Sequence, residues 1–383
     1  MSKFHIKNRS LTSQEKLRKR QKLVAALRGE QSELFEISSF DAEVVSQKNC
    51  ENLVGSVELP VGVAGEVRLQ GDVDCECLVP LATTEGALTA SVARGLKAIG
   101  LSGGAVVLIE KIGMTRAPVF ELPSGVQARK FTSWLTKKFD QLKTTSEATS
   151  SHLELLDVQM WTRGRLVFVR FVFDTDQAMG MNMASIAVNH VWREVISSYP
   201  EVKLRALSGN VCVDKKESSL NRLLGRGYRV QAEVVVGPST TKDVLKTTPE
   251  QLFKTHYSKN LIGTNVAGSN SPNMQAANVA AAMFLAAGQD PAHVVEAAQA
   301  ATTIEVDEEG VYAAINLPNL NLGVVGGGTN LPAFKQAQTV IKKDLTSEEL
   351  AGVVAAACLA AELSGLAALA AQSLASAHQQ LGR

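Results

Sequence analysis

Residues 273–290, NMQAANVAAAMFLAAGQD, carry no charged side chain before the final aspartate. Their Ala, Met, Leu and Phe content favours a helix. A helix apolar on nearly every face has to lie inside the protein, so any fold open to this chain must enclose the segment. Gly288 is placed to end the helix in a left-handed conformation, which glycine adopts at little cost. Asp290 is then delivered to the rim of whatever encloses the helix. On these residues alone, an ordinary core helix followed by a solvated aspartate is the simpler reading.

The remaining bounds are broad. A chain of 383 residues holds one large domain or two. With 39 Lys and Arg against 38 Asp and Glu, no overall charge bias favours nucleic acid or an anionic membrane as partner. Five cysteines without a CxxC pair argue against a disulfide framework or a structural zinc, and no metal is expected. Reduced thiols fit an intracellular protein, with the cytoplasm as expected location. The acid-free opening leaves a mitochondrial or other organelle matrix as the alternative. No apolar run reaches eighteen residues without a charge, the Ala-rich end being broken by Glu362, so the chain is expected to be soluble.

Residues 1–49 read as a helical arm. The first 29 residues hold nine Lys and Arg and one acid, Glu15. A helix is expected from the Thr12–Glu15 capping box to Gly29, with Leu17, Val24 and Leu27 available for docking and the acid-rich residues 30–51 as counter-surface. Residues 66–70 and 73–80 read as a hairpin around a Gly71-Asp72 turn. Thr83 or Thr84 is expected to cap a helix over 85–99, which puts Glu85 in a first turn, where the dipole favours the ionised carboxylate.

Between 118 and 207 the expected order is strand 118–122, helix 126–142, strands 152–161 and 165–173, helix 181–198 and strand 202–207. That is β-α-β-β-α-β, the ferredoxin-like arrangement. It is read as an insertion into a large domain made of 50–117 and 208–383. The expected class is therefore α+β: a large domain around a buried central helix, carrying an inserted ferredoxin-like cofactor-binding domain. After it come a loop at 208–216, a strand at 228–236, the central helix, a hairpin at 302–317, a glycine-rich loop at 323–329 and two Ala/Leu-rich helices.

Seven short motifs occur in one order: ENLVG at 51–55, PVGVAG at 60–65, ATTEG at 82–86, GMTR at 113–116, AMGMNM at 178–183, SGN at 208–210 with DKK at 214–216, and GGGTN at 326–330. Together they resemble 3-hydroxy-3-methylglutaryl-CoA reductase, and its eukaryotic-type class more than the bacterial degradative class, without that class's membrane anchor. The resemblance implies four-electron reduction of the thioester to mevalonate and free CoA with two NAD(P)H. It gives Lys215 the place of the cation beside the developing oxyanion, Glu85 that of the proton donor, Asp290 that of a link between them, and His378 that of the acid for the leaving thiolate. Arg116, Ser208, Lys216 and Lys259 match the carboxylate contacts, and Asp214 and Asn278 the groups around the reacting oxygens.

Cofactor contacts carry over to Ala178, Met179, Gly180, Met181, Asn182 and Met183, and to Gly326, Gly327, Gly328 and Thr329. Ser150, Ser151 and His152 occupy the place of a Ser-Arg-Phe that reads the 2′-phosphate of NADPH. Gln177, Gln275 and Ile112 also depart from residues usual in the family. NADPH is still expected, NADH being possible. The family also implies a homodimer or homotetramer with the active site at the subunit interface. Two alternatives are NAD-dependent oxidation of mevalonate and a non-catalytic CoA-binding homologue.

Overall fold

The computed structural model describes residues 10–28 and 41–372. The fold is mixed, with helices packed on largely antiparallel strands. Among the described residues there are ten strands: β1 (Val61–Gly71), β2 (Cys75–Ala82), β3 (Ala105–Arg116), β4 (Val119–Glu121), β5 (Glu154–Arg163), β6 (Leu166–Asp174), β7 (Lys203–Ala206), β8 (Gly227–Val236), β9 (Ala301–Asp307) and β10 (Gly310–Leu320).

β3 joins the two parts of the sheet. Its first half pairs with β8, which continues through β10 to β9, and its last residues, Met114 to Arg116, pair with Phe171 to Phe173 of β6. The changeover falls at Gly113, with φ 98°, where an added Cβ would lie 2.6 Å from the Phe173 carbonyl oxygen. Only glycine tolerates both that conformation and that approach. Beyond it the strands run β7-β4-β6-β5, all antiparallel.

Two hydrophobic cores lie on either side of this changeover. The smaller is rich in aromatic rings, with Phe120, Phe131, Phe171 and Phe173 fully buried. Its first helix departs from expectation: residues 126–142 form two helices, Gly125–Thr136 and Phe139–Glu147. The turn between them lets Phe131 and Leu135 from one, and Leu142 and Ser146 from the other, all reach the interior.

The larger core encloses the expected apolar helix, Ala276–Ala287, capped by Gly288 at φ 71°. It shares the centre with a longer helix, Ser347–Ala370, buried continuously from Leu350 to Ala368. That helix is long and apolar enough to cross a membrane by length and composition, but the protein's own elements cover it. Its apolar surface is therefore covered within the chain.

Within it, buried Glu362 accepts hydrogen bonds from Met274 N at 2.8 Å, Gln275 N at 2.7 Å and Thr302 Oγ1 at 2.7 Å. Burial pushes this carboxyl up, against the opposing pull of those donors and of Lys259. The carboxylate satisfies backbone donors just ahead of the Ala276–Ala287 helix, where none of the helix's own carbonyls can reach.

The arm forms the helix Ser13–Arg28, opened by the expected reciprocal contacts between Thr12 and Glu15. Leu17 packs with Ala42, Val45 and Leu53, and Ser13 N donates to Glu43 at 3.0 Å. The counter-surface is thus made from residues 41–53. Residues 29–40 and the side chains of Val24 and Leu27 lie outside what is described.

Candidate active site

Residues 208–216 connect β7 to the helix Ser219–Leu224 and hold three non-glycine residues at positive φ: Asn210 at 63°, Val213 at 50° and Lys215 at 58°. For a β-branched valine this conformation is costly, and such strain persists only where surroundings over-determine it. Here they do. Gly209 N donates to Ala117 O at 2.6 Å, Thr115 Oγ1 to Cys212 O at 2.9 Å, and Asn221 Nδ2 to Val213 O at 3.2 Å. Ser208 Oγ lies 3.2 Å from Cys212 Sγ. The loop is thereby tied to the end of β3, next to Arg116, whose buried Nε has no hydrogen-bond partner.

The strained backbone presents Lys215 outward. Its Nζ lies 2.8 Å from Asp290 Oδ2, with side chains 44% and 31% exposed. Burial pushes the Asp290 carboxyl up, but hydrogen bonds from Lys215 and Ala292 N, with the charges of His293 and Lys215, outweigh it and leave the group below its ordinary value. Lys216 is exposed and donates to the Asp214 carbonyl at 3.2 Å.

Beneath the loop lies a buried polar hub that sequence reasoning missed. Arg226 donates from Nη1 to both oxygens of Glu296, at 2.8 and 3.0 Å, from Nη2 to Asp214 Oδ1 at 3.2 Å, and from Nε to Thr115 Oγ1 at 3.0 Å. Glu296 also accepts from Asn221 Nδ2 at 3.1 Å and from Lys215 N at 3.2 Å. Ligand atoms of Asp214, His293 and Glu296 all lie within 4.8 Å of one another, but the guanidinium already supplies a cation to both acids. Arg226→Met is expected to lower stability by about 3–5 kcal/mol, the cost of leaving a buried carboxylate without its countercharge. A urea midpoint within error of the native protein would contradict the hub's role.

Glu85 lies elsewhere. The helix expected to begin with it starts at Leu88, after Ala87 at φ 69°. Glu85 sits in the exposed turn before it, its N–H donating to Thr83 Oγ1 at 3.0 Å. Glu85 thus stands two residues ahead of the N-cap Ala87 rather than in the first helical turn. Its carboxylate accepts from Asn278 Nδ2 at 3.4 Å, in the first turn of the Ala276–Ala287 helix. Asp290 follows the last turn of that helix, so roughly 15 Å of helix, at about 1.5 Å per residue, separates the two ends. Among the described residues, no ion pair or hydrogen bond links Glu85 to Lys215 or Asp290. Within one copy of the chain Asp290 meets Lys215, and Glu85 meets Asn278. Lys259 is exposed and acts on Glu362 at the Asn278 end. His378 lies outside the described residues.

The two glycine-containing segments meet. Val324 N donates to Gln177 O at 2.9 Å and Ala178 bridges Val325. Gly180, at φ 85°, precedes the helix Met181–Glu194, whose N-terminus has no side-chain cap. Asn182 is exposed and Met183 half-buried. Gly326 and Gly327 are exposed, while Thr329 Oγ1 donates to Gly326 O at 2.5 Å. Gln177 is explained by packing: its Oε1 accepts from Ser347 N at 2.7 Å and its Nε2 donates to Glu348 at 3.2 Å, tying this segment to the start of the Ser347–Ala370 helix. His152 Nδ1 lies 2.8 Å from Asp176 Oδ2, which brings the Ser150–Ser151–His152 turn beside the same loop.

The sequence matches the hydroxymethylglutaryl-coenzyme A reductase family over residues 16–383. It is 43% identical over 353 residues to a 3-hydroxy-3-methylglutaryl-coenzyme A reductase of Halobacterium salinarum, covering 90% of this chain and 87% of that one. It is 40% identical to the enzyme of that name from Methanothermobacter thermautotrophicus, covering 100% and 97%. To reductase 2 of Dictyostelium discoideum it is 42% identical, covering 91% and 68%. The fold resembles that of the class II reductase of Streptococcus pneumoniae solved with NADPH, with TM-score 0.69 and 18% identity over 94% and 98% of the two chains. On sequence and fold together, the chain belongs to the hydroxymethylglutaryl-coenzyme A reductase family.

Proposed function

We propose that this protein reduces 3-hydroxy-3-methylglutaryl-CoA to mevalonate and free CoA with two equivalents of NAD(P)H. The observation that carries the reading is the Lys215–Asp290 pair, 2.8 Å apart on a strained, over-anchored loop beside Arg116, Ser208, Asp214 and Lys216. Bound nicotinamide supplies hydride. Negative charge then develops on the thioester oxygen, where Lys215, held by Asp290, lowers the barrier. Glu85 donates the proton, and His378 protonates the departing thiolate. Arg116, Ser208, Lys216 and Lys259 bind the substrate carboxylate, Arg116 bringing a buried nitrogen without other partners. The uncapped N-terminus of Met181–Glu194 suits a pyrophosphate, and Gly326 to Thr329 follow Val325, which bridges to Ala178 beside it.

The site is completed by a second copy of the chain. Lys215 and Asp290 lie at one end of the Ala276–Ala287 helix, while Glu85 and Asn278 lie at the other, with Lys259 beside exposed Tyr257, Leu261, Ile262 and Val266. Such an apolar patch around a functional lysine fits an interface. Residues 118–207, with their strand order β7-β4-β6-β5, are read as a ferredoxin-like insertion. The large domain comprises 50–117 and 208–383, and the arm 1–49. Identities of 40–44% to the archaeal enzymes and 42% to the Dictyostelium one, against 18% to the class II enzyme, favour the eukaryotic-type class.

NADPH is expected to be preferred over NADH, by a narrow margin. Ser151 offers only a hydroxyl where an arginine fork would bind the 2′-phosphate in two charge-assisted hydrogen bonds, and the neighbouring Asp176 carboxylate opposes a second anion. Ser151→Arg should shift the ratio of kcat/KM toward NADPH by about tenfold, equivalent to about 1.4 kcal/mol. Steady-state rates of thioester reduction with both cofactors test this. A native preference for NADH, or an unchanged ratio in the variant, would refute the phosphate pocket. Absence of reduction with either would refute the function.

A further inference from the structure

His293 ends the short turn Pro291–His293 that follows Asp290, and it is fully buried. Its Nδ1 lies 2.6 Å from Glu296 Oε2, a carboxylate oxygen that only accepts, so Nδ1 carries a hydrogen. Its Nε2 is buried without a hydrogen-bond partner, a state that native interiors rarely leave unexplained. The acceptors facing it are Asp290 Oδ2 at 3.7 Å and Asp214 Oδ1 at 3.9 Å.

The charges around the ring do not balance without it. Facing His293 are Glu296 from the helix Val294–Ala297, Asp290 from the segment leading into the turn, Asp214 and Lys215 from the 208–216 loop, and Arg226 just before β8. Three carboxylates stand against two cations. The side chains of Arg226, Glu296 and His293 are wholly out of solvent, and those of Asp214 and Asp290 keep 23% and 31% exposure, so the excess carboxylate stands at the rim of a region where unmatched charge is expensive.

We infer that His293 is a positioning residue for the reduction: it carries a second proton, on Nε2, that sits between Asp290 and Asp214 and fixes both carboxylates beneath Lys215. Glu296 orients the ring through Nδ1, and the positive ring holds Asp290 in the ionised form that pairs with Lys215. The proton is not transferred to substrate. The lowering of the Asp290 carboxyl, to which the His293 charge contributes, agrees with this arrangement. The inference rests on the proposed function for its kinetic consequence, but not for its charge state.

Nitrogen-15 NMR of the full chain at neutral pH reads that charge state directly. The His293 signal is identified among the six imidazoles by its loss in His293→Gln and, independently of that variant's folding, by its shift in Asp290→Asn. Both ring nitrogens should resonate as protonated. In kinetics, His293→Ala should lower kcat by up to about 10²-fold, as expected when a reacting group is displaced, with KM for the thioester nearly unchanged. His293→Gln keeps a donor but cannot carry the charge, so it should recover part of kcat, and its kcat should not show the alkaline fall that loss of a ring proton is expected to cause in the native enzyme. A non-protonated Nε2 in the native protein would overturn the inference, as would a folded His293→Gln with native kcat and pH profile. A native protein without reductase activity would refute the function instead, while the NMR result would still decide the charge state.

Discussion

Lys215→Ala is expected to lower thioester turnover by about 10²–10³-fold while leaving the fold intact, the usual cost of removing one stabiliser of a developing oxyanion. The loss falls on chemistry because the ammonium is largely outside the packed interior. What anchors the loop is the residue's backbone N–H, which donates to Glu296 at 3.2 Å and survives the substitution. Alanine keeps the Cβ that lysine already carries at φ 58°, so the substitution leaves the backbone strain as it is.

The pH dependence has a definite sign. Asp290 has its carboxyl depressed in the folded protein, so its contribution to stability is complete above the unfolded value and lost as pH falls through the lower folded one. The pair should therefore stay ionised throughout the neutral range and weaken only in acid. Without Lys215 the carboxyl loses a donor and a countercharge, and its titration should move upward. A folded variant with turnover within tenfold of native would remove Lys215 from the role proposed for it.

Why some of this was legible in the sequence and some was not follows from the residues. The Ala276–Ala287 helix and its Gly288 cap were readable because an uncharged Ala-rich run has no exposed solution. The same logic applied to Ser347–Ala370, but Glu362 concealed how completely that helix is buried, since its carboxylate is satisfied by donors 60 and more residues away in sequence. β3 escaped notice because Val106 and Leu108 are apolar yet exposed, which blurs the alternation that marks a half-buried strand.

The site divides in the same way. Motifs located the 208–216 loop and the two segments at 178–183 and 326–329, and Asp290 was located by the uncharged run that precedes it. They did not reveal that Glu85 sits with Asn278 rather than with Lys215, because order along the chain does not say which end of the Ala276–Ala287 helix each residue meets. Nor did any motif mark the hub beyond Asp214. Arg226, Asn221, His293 and Glu296 each resemble an ordinary polar residue in sequence, and the one local signal was Glu296 three residues after His293 in an otherwise apolar run, VVEAAQA.

Mixing two inactive variants tests the central claim, a reductase site completed between two chains, most directly. In Glu85→Gln the amide keeps the shape of the proton donor without its proton, and in Lys215→Ala the oxyanion loses its cation, so each homodimer carries two broken sites. In a two-fold heterodimer one site combines both lesions and the other combines an intact Lys215–Asp290 end with an intact Glu85–Asn278 end. With random pairing in a symmetric dimer, NADPH-dependent thioester reduction should return to about a quarter of the native rate. Isolated heterodimers that remain inactive would contradict the account.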